Sequence, residues 1–220
     1  MRKLLDALAS SVGKKIVMGL TGLLLVGFLI EHLLGNLKLI EDPSGEAFNE
    51  YVFWIQGFGP LLVVAEFGLA ALFLCHIVLA LRLSLENLQA RKNRYVVRAT
   101  HGQKSAGSMT MLITGALITG YLVMHLGDFR FDERFFEDPA ALVKATLAEP
   151  THGIAYLVSS FVIGLHLSHG FRSAFQSLGL SHTRLNPYLE KLGYGLAAFF
   201  AIGFAAFPIY FMFVADGPVQ

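Results

Sequence analysis

Five long apolar stretches constrain the fold of this 220-residue chain more than any other feature. They lie at about residues 15–37, 59–83, 105–126, 153–178 and 189–214. Each is long enough for the roughly 20 helical residues that cross the hydrocarbon core of a bilayer. Helices of this length in a soluble protein would show a polar stripe every 3.6 residues or so, and these stretches show none. The sequence therefore predicts an all-α integral membrane protein, a single domain of residues 1–220 with five transmembrane helices in a bundle.

The composition excludes several other classes of protein. Asp, Glu, Lys and Arg make up 15% of the residues, whereas about 25% is typical of a soluble domain. That is too little charge to coat a water-soluble globule of this size. The net charge of +1 gives no general attraction for nucleic acid. The single cysteine, Cys75, excludes an internal disulfide framework, a Cys-rich iron–sulfur site and a covalently attached haem.

Charged residues between the apolar stretches predict one orientation. Basic residues precede the first stretch and follow the second and fourth, namely Arg2, Lys3, Lys14, Lys15, Arg91, Lys92, Arg94, Arg98, Lys104, Arg184 and Lys191. Acidic residues dominate the other two connections, namely Glu41, Asp42, Glu46, Glu50, Asp132, Glu133, Glu137, Asp138 and Glu149. Because basic loops stay in the cytoplasm, we expect a cytoplasmic N-terminus and an external C-terminus.

Histidines occur within four of the five apolar stretches, which is rare for ionisable residues at membrane depth and marks them as functional candidates. They are His32, His76, His125, and His166 with His169. Successive spans run in opposite directions. His32 and His125 are therefore expected near the outer face, and His76 and His166 in the inner half. The residues alone do not choose between His166 and His169.

Two neutral imidazoles facing each other across a helix bundle are typical of a bis-histidine haem site, in which electron transfer is favoured over oxygen chemistry. Paired histidines also suit a transition metal, so a His-lined metal or proton transporter is an alternative. Such transporters usually add intramembrane acids beside each pair, and only Glu31 and Glu66 are available here. Neither acid fits the inner pair. Haem is large and apolar, which suits the many Phe, Leu and Gly residues.

Local motifs support the haem interpretation over essentially the whole chain. They are SVGKK (11–15) leading into GLTG (19–22), CHIVLALR (75–82), HLGDFRF (125–131) and HLSHGFRSAFQSLG (166–179). With one histidine on each of four helices, they resemble the dihaem cytochrome b membrane-anchor subunit of succinate:quinone oxidoreductases, the succinate dehydrogenase and fumarate reductase family.

The resemblance implies a role in respiration. Such a subunit anchors a flavoprotein subunit and an iron–sulfur subunit on the cytoplasmic face of a bacterial-type inner membrane. Electrons pass between the iron–sulfur subunit and membrane quinone, with menaquinone expected, through two b-type haems. The dicarboxylate chemistry occurs on the flavoprotein subunit, and the basic loops would form the docking surface. A higher oligomer of the whole complex is left open. The haem b anchor of another respiratory oxidoreductase, of the hydrogenase or formate dehydrogenase type, is a further alternative.

The resemblance also assigns residues. In the family the first histidine of an H-x-x-x-G element is the ligand, which selects His166 and gives axial pairs His32/His125 and His76/His166. His169 could instead contact a haem propionate or a quinone. Glu50 falls where some members carry an acid used in quinol chemistry. One branch has a glutamate two residues before the fourth ligand, and here that position is Gly164.

Basic residues close to the ligands are candidates for binding haem propionates. They are Lys38 and Arg130 on the outer side, and Arg82 and Arg172 on the inner side. Basic residues at helix ends also snorkel to the membrane surface, so that interpretation stays open beside the first.

Overall fold

The computed structural model describes residues 6–7, 9–89 and 106–215, and within them every regular element is helical. The α-helices are α1 (Ser11–Glu41), α2 (Glu46–Gln56), α3 (Pro60–Gln89), α4 (Ala106–His125), α5 (Pro139–Ala148), α6 (Pro150–Ser177) and α7 (Asn186–Phe213). A π-helical turn, Leu126–Arg130, extends α4, and a 3₁₀ turn, Glu133–Phe136, precedes α5. In the described part of the chain, α1, α3, α4 with its extension, α6 and α7 are long and apolar enough to cross a membrane. The predicted all-α class with five candidate spans is confirmed.

The predicted orientation rests largely on residues outside this description. The basic residues concerned are Arg2, Lys3, Arg91, Lys92, Arg94, Arg98 and Lys104. The cytoplasmic N-terminus and the docking surface on these residues therefore stay predictions.

The closest helix packing is between α6 and α7, where small residues allow the two backbones to approach. A Cβ at Gly164 of α6 would lie 2.8 Å from both Ala197 O and Ala201 Cβ of α7. Phe200 of α7 is fully buried beside this contact region, at 0% exposure. Close approach at small residues is a common way for membrane helices to associate, since lipid offers no hydrophobic drive between them.

Replacing Gly164 by leucine is expected to lower the thermal stability of the protein in detergent. The side chain would meet backbone at Ala197, and overpacking of this kind costs about 1–3 kcal/mol. Gly195→Leu on α7 is the matched control, because a Cβ there meets nothing within 4 Å. Thermal unfolding followed by circular dichroism would measure the difference, and equal midpoints for the two variants would contradict the packing.

Two short helices, α2 and α5, occupy the acidic connections, and the sequence analysis predicted neither of them. The side chain of Asn49 on α2 joins them: its Nδ2 donates to Asp138 Oδ1 at 2.8 Å and its Oδ1 accepts from Ala140 N at 2.8 Å. Asp138 caps α5 by accepting from Ala141 N, with Pro139 in the first turn. This cap starts a helix that buries Leu142, Val143 and Leu147. The sequence signal for α5 was the cap at Asp138 followed by a short apolar run. That run is too short to be a membrane span.

α3 differs from the other long helices because none of its described side chains is buried. It packs chiefly on α1, where Phe28 and Phe73 meet edge to face at 6.2 Å. Ion pairs hold its two ends, Lys14–Glu86 at one and Glu66–Arg130 at the other. The helix is thus attached by polar contacts at its ends, with His76 between them.

Candidate functional site

The two histidines of the predicted inner pair are held in the same way by neighbouring helices. Thr21 Oγ1 of α1 lies 3.1 Å from His76 Nδ1 of α3. Thr114 Oγ1 of α4 lies 3.0 Å from His166 Nδ1 of α6. Both threonines are buried, at 6% and 3% exposure. Each ring is therefore fixed by a hydroxyl from another helix.

The partners of these hydroxyls favour one tautomer of each ring. Thr21 Oγ1 donates to Met18 O at 3.0 Å, and Thr114 Oγ1 donates to Thr110 O at 3.0 Å. With the single hydroxyl proton on the helix carbonyl, each Oγ1 is left to accept from the ring. The Nδ1 atoms then carry the protons, and a neutral ring keeps its Nε2 lone pair. That is the form of imidazole that binds a metal, with the other ring nitrogen donating to an outer partner.

A glycine follows each threonine and lies beside the ring that the threonine holds. A Cβ on Gly22 would lie 3.3 Å from His76 Cε1, and one on Gly115 would lie 3.7 Å from His166 Cε1. Each of these rings therefore lies against a glycine of a neighbouring helix, and the pairing of His76 with His166 stays a prediction.

The predicted outer pair is in direct contact. The ring centres of His32 and His125 are 5.7 Å apart, with the ring planes at 87°. Because imidazole–metal bonds are about 2 Å long, two rings on one ion have centres roughly 6 Å apart. His32 also stacks on Phe28, at 5.4 Å. The spacing of the two rings is close to that of two imidazoles on one ion, and their surroundings are aromatic.

His125 of the predicted outer pair also has a polar contact at its Nδ1. Its Nδ1 lies 3.4 Å from Tyr156 Oη, which donates to Asp128 Oδ2 at 2.8 Å. Tyr121 and Phe129 pack on the same ring, at 5.6 and 5.1 Å. Three of the four candidate ligands thus have an oxygen partner at Nδ1.

The sequence analysis missed the residues that hydrogen-bond to the histidine rings. Thr21 and Thr114 were not predicted as site residues, nor were Tyr156 and Asp128. A signal for the threonines was present, because a Thr-Gly pair occurs in the inner half of both the first and the third apolar stretch. Which way such a pair faces depends on the rotation of the helix, which depth alone does not provide.

His169 lies one turn beyond His166 on α6 and is half-buried. The Thr114 hydrogen bond goes to His166, and Gly170 flanks the same ring, its Cβ position 4.0 Å from His166 Cδ2. These contacts favour His166, and not His169, as the candidate ligand on α6.

The basic residues predicted to bind haem propionates lie in different surroundings. Arg130 forms two 2.9 Å hydrogen bonds to the Glu66 carboxylate. Arg172 Nη1 lies 3.6 Å from Glu190 Oε2. Arg82 is exposed. Their roles towards propionates, and that of Lys38, stay predictions.

A cleft of about 400 Å³ lies between α1 and α2 at the C-terminal half of α1. Its polar lining residues are Glu31, Lys38 and Tyr51, and the Tyr51 ring packs where a Cβ on Gly35 would lie. Burial, with the nearby Glu31 carboxylate, raises the pKa of the Tyr51 hydroxyl, so Tyr51 stays a neutral donor. Glu50, the neighbour of Tyr51, is exposed on α2.

Compared with protein-family models, curated proteins and solved structures, the chain matches none of them. The resemblance therefore rests on the motifs and on the paired histidines. Within the described residues, no three His, Cys, Asp or Glu side chains are grouped to hold a single metal ion.

Proposed function

We propose that the chain is the membrane-anchor and electron-transfer subunit of a succinate:quinone oxidoreductase. The observation that supports it best is the ring contact between His32 and His125, with His76 and His166 each held at Nδ1 by a threonine of another helix. His76 and His166 would hold an inner haem b, and His32 and His125 an outer one. A haem with both axial positions filled supplies one-electron transfer.

The chain's own residues then position and insulate this path. Thr21 and Thr114 orient the inner ligands, and the aromatic rings packed around His32 and His125 keep water from the outer pair. Under the predicted orientation, the inner pair faces the flavoprotein and iron–sulfur subunits in the cytoplasm. The outer pair faces the side where membrane quinone would react, with surrounding lipid as the remaining partner.

The cleft between α1 and α2 is the best candidate for the quinone. It has the volume of a small-ligand site, an apolar wall and few polar groups. Tyr51 can donate a hydrogen bond to a quinone carbonyl. Carboxylates at Glu31 and Glu50 lie on the two helices that form it and could exchange protons.

The visible spectrum of the purified chain tests the proposal. We expect two haems b per chain by pyridine haemochrome analysis, and co-purification with a flavoprotein and an iron–sulfur subunit. One haem or none would contradict it. Two haems with subunits of a hydrogenase or formate dehydrogenase would favour that alternative, and a bound transition metal without haem would favour a transporter.

Replacing Glu50 by glutamine is expected to slow quinone-linked turnover by at least about tenfold, the low end of what a positioned acid–base group contributes. Both haems and the flavoprotein's succinate–dye activity should be unchanged, because Glu50 is exposed on α2 and away from the ligands. Glu31→Gln and Glu66→Gln are the comparisons. Unchanged turnover in Glu50→Gln would return Glu50 to the solvated surface and transfer the role to whichever of the other acids does slow it.

A further inference from the structure

A row of protonatable side chains links the outer histidine pair to the N-terminal end of α6. Tyr156 Oη lies 3.4 Å from His125 Nδ1 and donates to Asp128 Oδ2 at 2.8 Å. The other carboxylate oxygen, Asp128 Oδ1, lies 3.4 Å from His152 Nε2. His152 Nδ1 in turn lies 2.8 Å from Glu149 Oε2. Electron transfer alone gives these contacts no role.

Exposure rises along this row from the interior to the helix end. Tyr156 is 7% exposed, the Asp128 side chain 15% and the His152 side chain 42%. The Tyr156 end of the row is therefore shielded from solvent, while His152 reaches solvent. A graded path of this kind connects a buried centre to water without opening the core.

Glu149 holds the His152 ring in place. As the N-cap of α6 it accepts from His152 N at 2.8 Å as well as from the ring. These hydrogen bonds lower the pKa of Glu149 to about 2, so it remains an anion. With Nδ1 donating to Glu149, a neutral ring presents its Nε2 lone pair to Asp128. One added proton between Nε2 and Asp128 Oδ1 converts that contact into a hydrogen bond.

Other charged groups around Asp128 and His152 are paired with each other. Arg130 of the π-helical turn forms an ion pair with Glu66 of α3, and Asp132 of the following loop forms one with Arg134. Tyr121 of α4 interacts electrostatically with Asp128. Among the described residues, Glu149 and Tyr156 are the remaining titratable groups in this region.

We propose that Asp128 and His152 form a proton-exchange site at the outer face, linked to the outer haem site through Tyr156. The inference rests on the proposed function. If a group held by the outer histidine pair accepted one electron, one proton from external water would enter between Asp128 Oδ1 and His152 Nε2. When the electron leaves, the proton returns to water by the exposed edge of His152. One proton then balances the charge of one electron.

The test is the pH dependence of the outer-haem midpoint potential, measured by spectroelectrochemical titration of the purified full-length protein. The outer haem is identified as the one lost in His32→Leu. In the wild type we expect the potential to fall with rising pH, at most by about 59 mV per pH unit, the value for one proton per electron. Asp128→Asn should reduce that slope by at least half. Asp132→Asn, which removes a nearby acid paired with Arg134, should leave it unchanged.

A wild-type potential independent of pH, or an unchanged slope in Asp128→Asn, would overturn the inference. Should Asp128→Asn fail to fold or lose the haem, His152→Gln decides, because it removes the titrating ring from the exposed end of the row. A full wild-type slope in His152→Gln would then overturn the inference. Failure of the wild type to bind haem would instead overturn the proposed function, so the two failures are distinguishable.

Discussion

His166→Leu is expected to reduce the haem content from two to one per chain, with the inner haem lost. The ring is one of only two proposed axial ligands at the inner site, and a leucine of similar size offers no lone pair. His76→Leu should lose the same haem, because His76 is the proposed opposite ligand. His32→Leu and His125→Leu should each lose the outer haem, since those two rings contact each other at 5.7 Å. Pyridine haemochrome analysis and the reduced visible spectrum measure both outcomes.

His169→Leu is the matched control for His166→Leu. It removes a histidine from the same helix, one turn away, while the hydrogen bond between His166 Nδ1 and Thr114 Oγ1 remains. Both haems should be retained. Loss of a haem in His169→Leu with retention in His166→Leu would show that the assignment between the two was wrong.

Thr114→Val and Thr21→Val are expected to weaken retention of the inner haem by about 10–100-fold, the usual effect of removing an outer partner of a metal ligand. Valine preserves the shape of threonine but cannot accept the Nδ1–H of the ring. The ring then loses the contact that fixes both its tautomer and its orientation. Haem transfer to apomyoglobin measures retention, and the inner-haem midpoint potential should shift as well.

Thr119→Val is the control for this pair of variants. Thr119 lies on the same helix as Thr114, but its hydroxyl donates to Gly115 O. Thr114→Ser should restore the wild-type behaviour because it returns a hydroxyl. A Thr114→Val protein with unchanged haem retention and potential would show that the hydrogen bond has no effect on the ligand.

Much of the fold could be predicted because the bilayer sets the length of an apolar run. The helix α6, Pro150–Ser177, differs by only a few residues from the predicted span at 153–178. α5 was missed because its signal is a cap at Asp138 and a short apolar run beside acidic residues. In a long polar connection, such local signals compete with turn chemistry.

The sequence grouped the candidate ligands by expected depth and no further. Reversal of successive spans paired His32 with His125, and those rings are in contact. The rotation of each helix about its axis was not available from the sequence, so the partners Thr21 and Thr114 were not recognised. Hydroxyls are common in apolar helices, where most bond to their own backbone, as Thr119 does.

The close packing of α6 on α7 at Gly164 bears on energy conservation. A Cβ there would already lie 2.8 Å from Ala197 O, so a carboxylate side chain has no room at this position. An electron moving between the outer and inner pairs would then travel without a proton carried beside it on α6. In the proposed function, a proton that compensates this electron would need a route away from position 164. Without such a route, a charge moved across the whole bilayer, worth about 2.3 kcal/mol per 100 mV, would let the membrane potential influence the direction in which the reaction runs.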